Sequence, residues 1–426
     1  MVYKQDIENC FEDKIGINGI KRPNFEENLI KAETALSEIK QEKELGKSSI
    51  LNHLEQEDDI QEIIQIGEEI RSKFDELVVL GTGGSTLNPQ AMVCLAKKTD
   101  KSNKTVHFID NVDPNTIEEF IQKIDLESTA FLVASKSGKT VETLMQILIF
   151  LEVLENRNID AGKHIYIITD PVESPLKEIG VKIGATILDH VKEIGGRFAT
   201  FTNIGLIPAV VAGIDIKKVR RYAREAVDLF LCENSIPTQG AALQYSFMQK
   251  GNRISVMMPY VARLSAFATW YRQIWAESLG KKGKGSTPIK AMGSLDQHSQ
   301  LQLYLDGPKD KLFNLISCDT RNIGTVISGK YLNDSIDYLK DKKAGDINAA
   351  LQHATAETLV NNKCPLRHIQ ISQLDEEVLS KIMVHFILET IITSKLLKVN
   401  PFDQPAVECG KVTTCKLLRE GYMKVI

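Results

Sequence analysis

Short apolar runs alternate with segments of helical spacing over most of this 426-residue chain, and this alternation limits the fold more than any other feature. The runs that predict strands occupy residues 77–80, 106–109, 130–134 and 164–169, and later residues 254–258, 289–292, 313–317 and 368–371. Helical segments between strands act as crossovers, which place successive strands parallel. The sequence therefore predicts an α/β fold with two doubly wound domains, each a parallel sheet flanked by helices.

The same pattern divides the chain into predicted domains. These are a helical N-terminal segment (1–70), a first α/β domain (71–229), a second α/β domain (230–395) and a C-terminal helical segment (396–426). Ligands of doubly wound sheets bind beyond the carboxyl ends of the strands. The loops after Leu80 and Ala134 are therefore the first places where we expect a binding site.

Composition and charge exclude several classes of partner. The net charge is −4, so no basic field favours nucleic acid or an anionic membrane surface. The apolar stretches 144–154 and 382–397 are interrupted by Glu152, His385 and Glu389, so they predict buried helices rather than membrane spans. We therefore expect a small-molecule partner, with neither nucleic acid nor membrane involved.

The cysteines indicate a reducing compartment. The chain has seven, an odd number, and no C-x-x-C pair, so neither a disulfide framework nor a zinc site is predicted. Residues 1–13 are polar and acidic, unlike a secretory signal peptide. Because reduced thiols are typical of the cytoplasm, we expect a cytoplasmic protein.

Two polar loops follow predicted strands and precede helices: GTGGS at residues 81–85 and SKSGKT at residues 135–140. Glycines let the backbone approach a ligand, and free amides at a helix start favour an anion. The first loop matches neither the nucleotide P-loop nor the dinucleotide fingerprint, and a plain tight turn explains it equally well. The hydroxyls and lysines of the second loop favour a phosphate, with helix capping by Ser137 or Thr140 as the alternative.

Charged side chains in three further motifs are candidates for chemistry. Arg197 follows paired glycines in GGRF, where it could stabilise negative charge beside a phosphate pocket or pair with a surface carboxylate. Glu277 ends a predicted helix, where an anion is disfavoured, which is typical of a site or of a Glu balanced by nearby lysines. His298, in DQHSQ, and Lys411, on the last predicted helix, indicate little by themselves.

Taken in order, the motifs GTGGS, SKSGKT, GGRF, AESLGK, DQHS and NPFDQPAVECGK resemble those of the glucose-6-phosphate isomerase (phosphoglucose isomerase) family in its shorter bacterial form. The resemblance runs from about residue 79 to residue 411. It implies two sugar-isomerase (SIS) domains and a homodimer with the active site at its interface. It also implies reversible conversion of D-glucose 6-phosphate to D-fructose 6-phosphate without a metal or organic cofactor.

The resemblance further implies a role for each matched residue. Glu277 is implied as the base that moves a proton between C1 and C2 through a cis-enediol, and Arg197 as the group that stabilises the enediolate. His298, supplied by the second subunit, and Lys411 would assist ring opening, and Glu142 would orient His298. The implied substrate-binding residues are Gly84, Ser85, Ser135, Lys136, Ser137, Thr140 and Gln404.

Two other functions are compatible with the same motifs. One is an isomerase that accepts mannose 6-phosphate as well, which would need room for a C2 epimer beside Glu277. The other is a non-catalytic sugar-phosphate sensor with SIS domains, which would not need Glu277, His298, Lys411 and Arg197 all together. Turnover of each sugar phosphate discriminates the three functions.

Overall fold

The computed structural model describes residues 3–96 and 104–421, which form two compact units. The first unit comprises Glu42–Arg224 and Asn400–Ile426, and the second unit comprises Met1–Gln41 and Glu225–Val399. Each unit is thus assembled from two separate stretches of chain, a property that the alternation of strands and helices does not reveal. Both units have the predicted α/β class, with sheets flanked by helices.

The strands in the described residues are β1 (Tyr3–Asp6), β2 (Glu76–Leu80), β3 (Thr105–Ile109), β4 (Thr129–Ala134), β5 (Ile165–Thr169), β6 (Thr186–Asp189), β7 (Ile254–Pro259), β8 (Thr287–Lys290), β9 (Lys311–Cys318) and β10 (Leu366–Ile371). The α-helices are α1 (Glu12–Ile15), α2 (Arg22–Glu44), α3 (Ser49–His53), α4 (Ile60–Lys73), α5 (Gly84–Val93), α6 (Pro114–Lys123), α7 (Val141–Asn156), α8 (Ala161–His164), α9 (Pro175–Ile183), α10 (Asn203–Val211), α11 (Ile216–Phe230), α12 (Ile236–Lys250), α13 (Ser265–Leu279), α14 (Leu301–Asp306), α15 (Ala344–Asn361), α16 (Glu376–Leu397) and α17 (Glu408–Glu420).

The first unit contains a parallel sheet with the strand order β3-β2-β4-β5-β6. Strand β4 is buried along its whole length, which explains why it is a continuous apolar run. From β2 the chain crosses outward to β3 and then returns to the other side of β2 to form β4. The winding therefore reverses between β2 and β4, and a doubly wound sheet binds its ligands at such a reversal.

The second unit contains a sheet with the order β1-β10-β9-β7-β8, in which β7 to β10 are parallel. Strand β1 pairs antiparallel with β10, with Tyr3 opposite Ile371 and Asp6 opposite His368. This strand corrects the expectations of an entirely helical N-terminal segment and an entirely parallel sheet. It is short and polar, so no apolar run marks it in the sequence.

Three other elements differ from the sequence prediction or are missing from it. Strand β6 has Leu188 as its only buried residue, so it lacks the apolar run by which the other strands are recognised. Residues 236–250 were predicted to belong to the second domain, but no helix was predicted there, and they form helix α12. Helix α5 begins at Gly84, inside the segment 81–85 that was expected as a loop before the helix, because Gly83 adopts a φ of 58° that turns the chain into the helix directly after β2.

A buried polar network joins β1 and β10 to α16 inside the second unit. The guanidinium of Arg367 donates to both carboxylate oxygens of Glu389, at 2.8 and 2.5 Å, and its Nε donates to Gln5 Oε1 at 2.6 Å. The Tyr3 hydroxyl lies 2.8 Å from His385 Nδ1, and the other ring nitrogen lies 2.9 Å from Glu389 Oε2. Tyr3 and Gln5 lie on the same face of β1, which explains how a polar strand is held at this sheet edge.

Replacing Arg367 with Met should strongly destabilise the protein. Both partners of the Arg367–Glu389 pair are fully buried, so removing one leaves an uncompensated charge, at a cost of about 3–5 kcal/mol. The free energy of unfolding from urea titrations measures this loss. Arg321→Met, which breaks the exposed pair between Arg321 and Asp319, is the matched control and should leave the urea midpoint unchanged. Equal midpoints for the two variants would contradict the assigned role of the network.

Candidate active site

The two glycine- and hydroxyl-rich loops lie side by side at the switch point of the first unit. Strands β2 and β4 are parallel neighbours, with Leu80 paired to Val133, so both strands end at the same edge of the sheet. Residues 81–83 follow β2 and lead into α5, which begins at Gly84, and residues 135–140 follow β4 and lead into α7. The sequence therefore identified the loops that the fold brings together.

The loop after β2 comes into close contact with the segment that contains Arg197. A Cβ atom at Gly84 would lie 2.3 Å from the carbonyl oxygen of Gly196, so no side chain fits at this position. Gly84 is buried, and Ser85 beside it is partly exposed in the first turn of α5. The glycine is therefore needed for the approach of two loops, which the reading as a plain tight turn does not explain.

The loop after β4 has the features of an anion site. Ser135 donates its hydroxyl to Thr140 Oγ1 at 3.0 Å, and the amide of Lys139 donates to Ser137 Oγ at 3.3 Å. Gly138 adopts a φ of +60°, and a Cβ there would meet Ser174 Oγ at 2.2 Å. Thr140 is the N-cap residue of the 16-residue helix α7 but makes no capping hydrogen bond with its side chain. The alternative for this loop was helix capping by Ser137 or Thr140, and capping by Thr140 is not observed. The helix N-terminus favours an anion.

The side chain of Lys136 lies near two polar residues, His190 and Asp170. Its Nζ donates to the carbonyl oxygen of Ile194 at 3.0 Å, directly before the glycines that precede Arg197. His190 is buried and its Nδ1 lies 2.9 Å from the carbonyl oxygen of Val191. Burial first, and then the positive charge of Lys136, lowers the pKa of His190 from 6.5 to about 4. His190 is therefore neutral near pH 7.

Asp170 lies beside His190, but the two do not form an ion pair. Asp170 Oδ1 is 3.6 Å from His190 Nδ1, beyond hydrogen-bonding distance. Burial raises the pKa of Asp170, although Lys136 opposes this effect. Among the described residues, Asp170 Oδ1 and His190 Nε2 have no hydrogen-bond partner. Neither residue was expected at the site, because each is an isolated polar residue after a strand and matches no motif.

Arg197 forms hydrogen bonds to the segment that lies between Pro401 and Pro405. Its guanidinium donates to Gln404 Oε1 at 2.9 Å, to the carbonyl oxygen of Asp403 at 3.0 Å and to that of Pro401. Its side chain is almost completely buried, and the ring of Phe402 packs on that of Phe198. The alternative of a surface Arg paired with a carboxylate is therefore wrong. The structure brings Arg197 and Gln404 together.

Glu277 belongs to the second unit, in the last turn of α13. It is partly exposed, and Gln273 Nε2 donates to its Oε1 at 2.9 Å. Because α13 returns from the end of β7 to the start of β8, Glu277 lies at the edge where the parallel strands begin. Trp275 confirms this placement, since its Nε1 donates to Ser286 Oγ at 3.0 Å, directly before β8.

His298 also belongs to the second unit, but it lies at the opposite edge of the same sheet. It is exposed in a 3₁₀ turn that follows β8. Strand β8 has four residues and so spans about 13 Å. Since Glu277 precedes β8 and His298 follows it, the second unit of one chain does not bring these two side chains together.

The remaining predicted residues are exposed in the first unit. Lys411 lies on α17, as expected, and its Nζ contacts Glu408 Oε1 at 2.7 Å. Helix α17 has no buried residue in its described length. Glu142 lies in the first turn of α7, next to the loop that ends at Thr140.

Asn88 is another residue of this region that the sequence did not predict. Its side chain is fully buried on α5, and its Nδ2 donates to the carbonyl oxygens of Gly84 at 2.5 Å and Gly196 at 2.7 Å. Thr200 donates its hydroxyl to Asn88 Oδ1 at 2.5 Å. The only signal in the sequence is an Asn in the second turn of a helix, which is not specific.

Within residues 3–96 and 104–421, no group of three or more His, Cys, Asp or Glu side chains is arranged to hold a metal ion. In the same ranges, no helix has the length and apolar character needed to cross a membrane. All seven cysteines carry free thiols.

The strand order and the two loops at the switch point define a doubly wound α/β protein. A family model described as phosphoglucose isomerase matches residues 46–423. A protein of Methanococcus maripaludis named probable glucose-6-phosphate isomerase is 33% identical over 417 residues, which cover 95% of this chain and 92% of that protein. The chain therefore belongs to the phosphoglucose isomerase family.

Solved structures share the fold over nearly the whole chain. A hypothetical protein from Thermus thermophilus has a TM-score of 0.86 at 28% identity, covering 98% of this chain and 99% of that one. A glucose-6-phosphate isomerase from Chlamydia trachomatis has a TM-score of 0.71 at 21% identity, covering 86% of this chain and 74% of that one. These similarities confirm the fold class that the sequence predicted.

Replacing His190 with Gln should change how stability depends on pH. Between pH 6.5 and about 4 the unfolded chain binds a proton at this position and the folded chain does not, because the folded-state pKa of His190 is lowered. His190 therefore reduces stability as the pH falls through this window. The variant should lose less stability than the wild type over the same window, as measured by urea midpoints.

Ser37→Ala, an exposed change on α2 that removes no titratable group, is the control and should keep the pH dependence of the wild type. If His190→Gln and the wild type lost stability equally between pH 6.5 and 4, His190 would not be a buried neutral group.

Proposed function

We propose that this chain is an isomerase that interconverts D-glucose 6-phosphate and D-fructose 6-phosphate. The observation that carries the proposal is the family match over residues 46–423, which includes both switch-point loops, Glu277, His298 and Lys411. The proposal places the enzyme in the cytoplasm, in glycolysis and gluconeogenesis. The free thiols are consistent with this location.

In the first unit, the loop after β4 would bind the phosphate group. Hydroxyls of Ser135, Ser137 and Thr140, the amides at the start of α7 and the charge of Lys136 are groups that bind a phosphate dianion well. Gly84, Ser85 and Gln404 would contact the sugar. A phosphate held away from the reacting carbons supplies binding energy that orients C1 and C2 for proton transfer.

The chemical steps need an acid/base pair and a stabiliser of negative charge. His298 and Lys411 would transfer the protons that open the sugar ring, and Glu142 would orient His298. The carboxylate of Glu277 would then remove the proton from C2 of the aldose and return it to C1, through a cis-enediol. Arg197 would stabilise the negative charge on the enediolate oxygen. No step in this scheme requires a metal ion or an organic cofactor.

The proposal further assigns the active site to a homodimer, in which His298 comes from the second copy. The positions of Glu277 and His298 support this assignment, because they lie at opposite edges of one sheet. A single chain that used both residues at one sugar would need them on the same side of β8. In a symmetric dimer, each site can take Glu277 from one copy and His298 from the other.

Glu277→Gln should abolish the conversion of fructose 6-phosphate to glucose 6-phosphate, because the amide cannot accept the proton from carbon. A coupled assay that follows the glucose 6-phosphate formed measures this loss. Glu357→Gln on α15 makes the same change at a helical position of the same unit, outside the proposed site, and should retain full activity. Activity of Glu277→Gln within twofold of the wild type would contradict the assigned base.

Mixing two inactive variants tests the shared site. If each site combines residues of two copies, a hybrid of Glu277→Gln with His298→Gln contains one intact site and one doubly altered site. Equal mixing and random reassociation should therefore restore about a quarter of the wild-type activity. Each variant unmixed should remain inactive. A mixture with no activity, despite mass-spectrometric evidence of hybrid dimers, would place both residues in one chain's own site.

A further inference from the structure

We propose that Asn88 is a positioning residue for the isomerisation, which it supports by fixing the spacing between the loop after β2 and the segment that contains Arg197. The inference rests on the proposed function and adds to it a residue that contacts no substrate. Asn88 acts through two backbone carbonyls, those of Gly84 and Gly196. Its side chain is fully buried, so it is placed by packing as well as by hydrogen bonds.

The first step of the argument is the geometry of the amide. Nδ2 can donate two hydrogens, and it lies within hydrogen-bonding distance of one carbonyl on each side of the contact between the loops. The hydroxyl of Thr200 donates to Oδ1, which determines the orientation of the amide group. Aspartate, leucine or alanine at this position could not donate to either carbonyl, so the contact depends on the amide.

The second step is how closely the loops approach each other. Gly84 leaves no room for a Cβ against the carbonyl oxygen of Gly196, so the backbones are in van der Waals contact. Two carbonyl oxygens close together repel each other unless a donor lies between them. Asn88 supplies that donor, and without it the two segments should move apart.

The third step connects this contact to the chemistry. Gly196 directly precedes Arg197, and Arg197 holds Gln404 and the backbone at Pro401 and Asp403. A shift of Gly196 therefore displaces the group proposed to stabilise the enediolate, together with a residue proposed to contact the sugar. A displacement of about 1 Å in a catalytic group can cost a hundredfold in rate. The phosphate loop follows a different strand, β4. Its Lys136 contacts the carbonyl oxygen of Ile194, two residues before Gly196, so phosphate affinity should change much less than kcat rather than stay constant.

Asn28 offers a matched control for a purely structural buried amide. It lies on α2 in the second unit, it is buried, and its Nδ2 donates to Ser246 Oγ at 2.9 Å and Gln249 Oε1 at 2.7 Å. Asn28→Ala and Asn88→Ala remove comparable contacts, and both should lower the melting temperature. Only Asn88→Ala should change catalysis in the protein that remains folded.

The experiment measures kcat, KM and the inhibition constant of inorganic phosphate at a temperature where all variants are folded. Asn88→Ala should lower kcat about tenfold or more, while KM and the inhibition constant change by no more than about threefold. Asn28→Ala should leave kcat within about twofold of the wild type. A kcat of Asn88→Ala within twofold of the wild type would overturn the inference, as would equal losses of kcat and phosphate binding.

If Asn88→Ala does not fold, Thr200→Val tests the inference instead. It keeps the shape of the side chain and removes only the hydroxyl that orients the Asn88 amide. We expect kcat to fall about fivefold with phosphate inhibition unchanged, and an unchanged kcat would overturn the inference. A wild-type protein without isomerase activity would overturn the proposed function and this inference together. An active wild type with a catalytically normal Asn88→Ala would overturn the inference alone.

Discussion

The buried guanidinium of Arg197 is the interaction on which the arrangement of the first unit's site depends. It joins a segment near residue 200 to a segment beyond residue 400, through donation to Gln404 and to two backbone carbonyls. Burying a guanidinium is costly unless acceptors surround it, so this contact tolerates few other geometries. The same group is the one proposed to stabilise a developing negative charge, so structure and proposed chemistry share one side chain.

The sequence predicted the parts of this protein that are encoded locally. Strands β2, β4, β5, β7 and β9 are buried on both faces and are visible as apolar runs, and their alternation with helices was sufficient for the fold class. The two switch-point loops were recognisable because glycines and hydroxyls follow a strand and precede a helix. Glu277, His298 and Lys411 remain predictions from the order of motifs, since their local surroundings alone indicated little.

What the sequence could not predict depends on contacts between distant residues. Strand β1 is polar. It forms a strand because its backbone pairs with β10 and its side chains hydrogen-bond within the Arg367 network. Asn88 matters because Gly196 lies opposite it, more than a hundred positions later in the chain. His190 and Asp170 are polar residues whose burial is determined by neighbouring strands. In each case the residue type is ordinary, and only the packing around it gives it a role.

The pairing of β1 with β10 has a consequence for biosynthesis. The ribosome releases Tyr3 long before Ile371, its neighbour in the sheet. At about 5–20 residues per second, the first strand waits roughly 20–70 s for its partner to be made. During that time it has no native strand beside it, and nascent chains on one messenger could pair through such a segment. The charges of Lys4 and Asp6, which are exposed in the finished sheet, disfavour that association while translation continues.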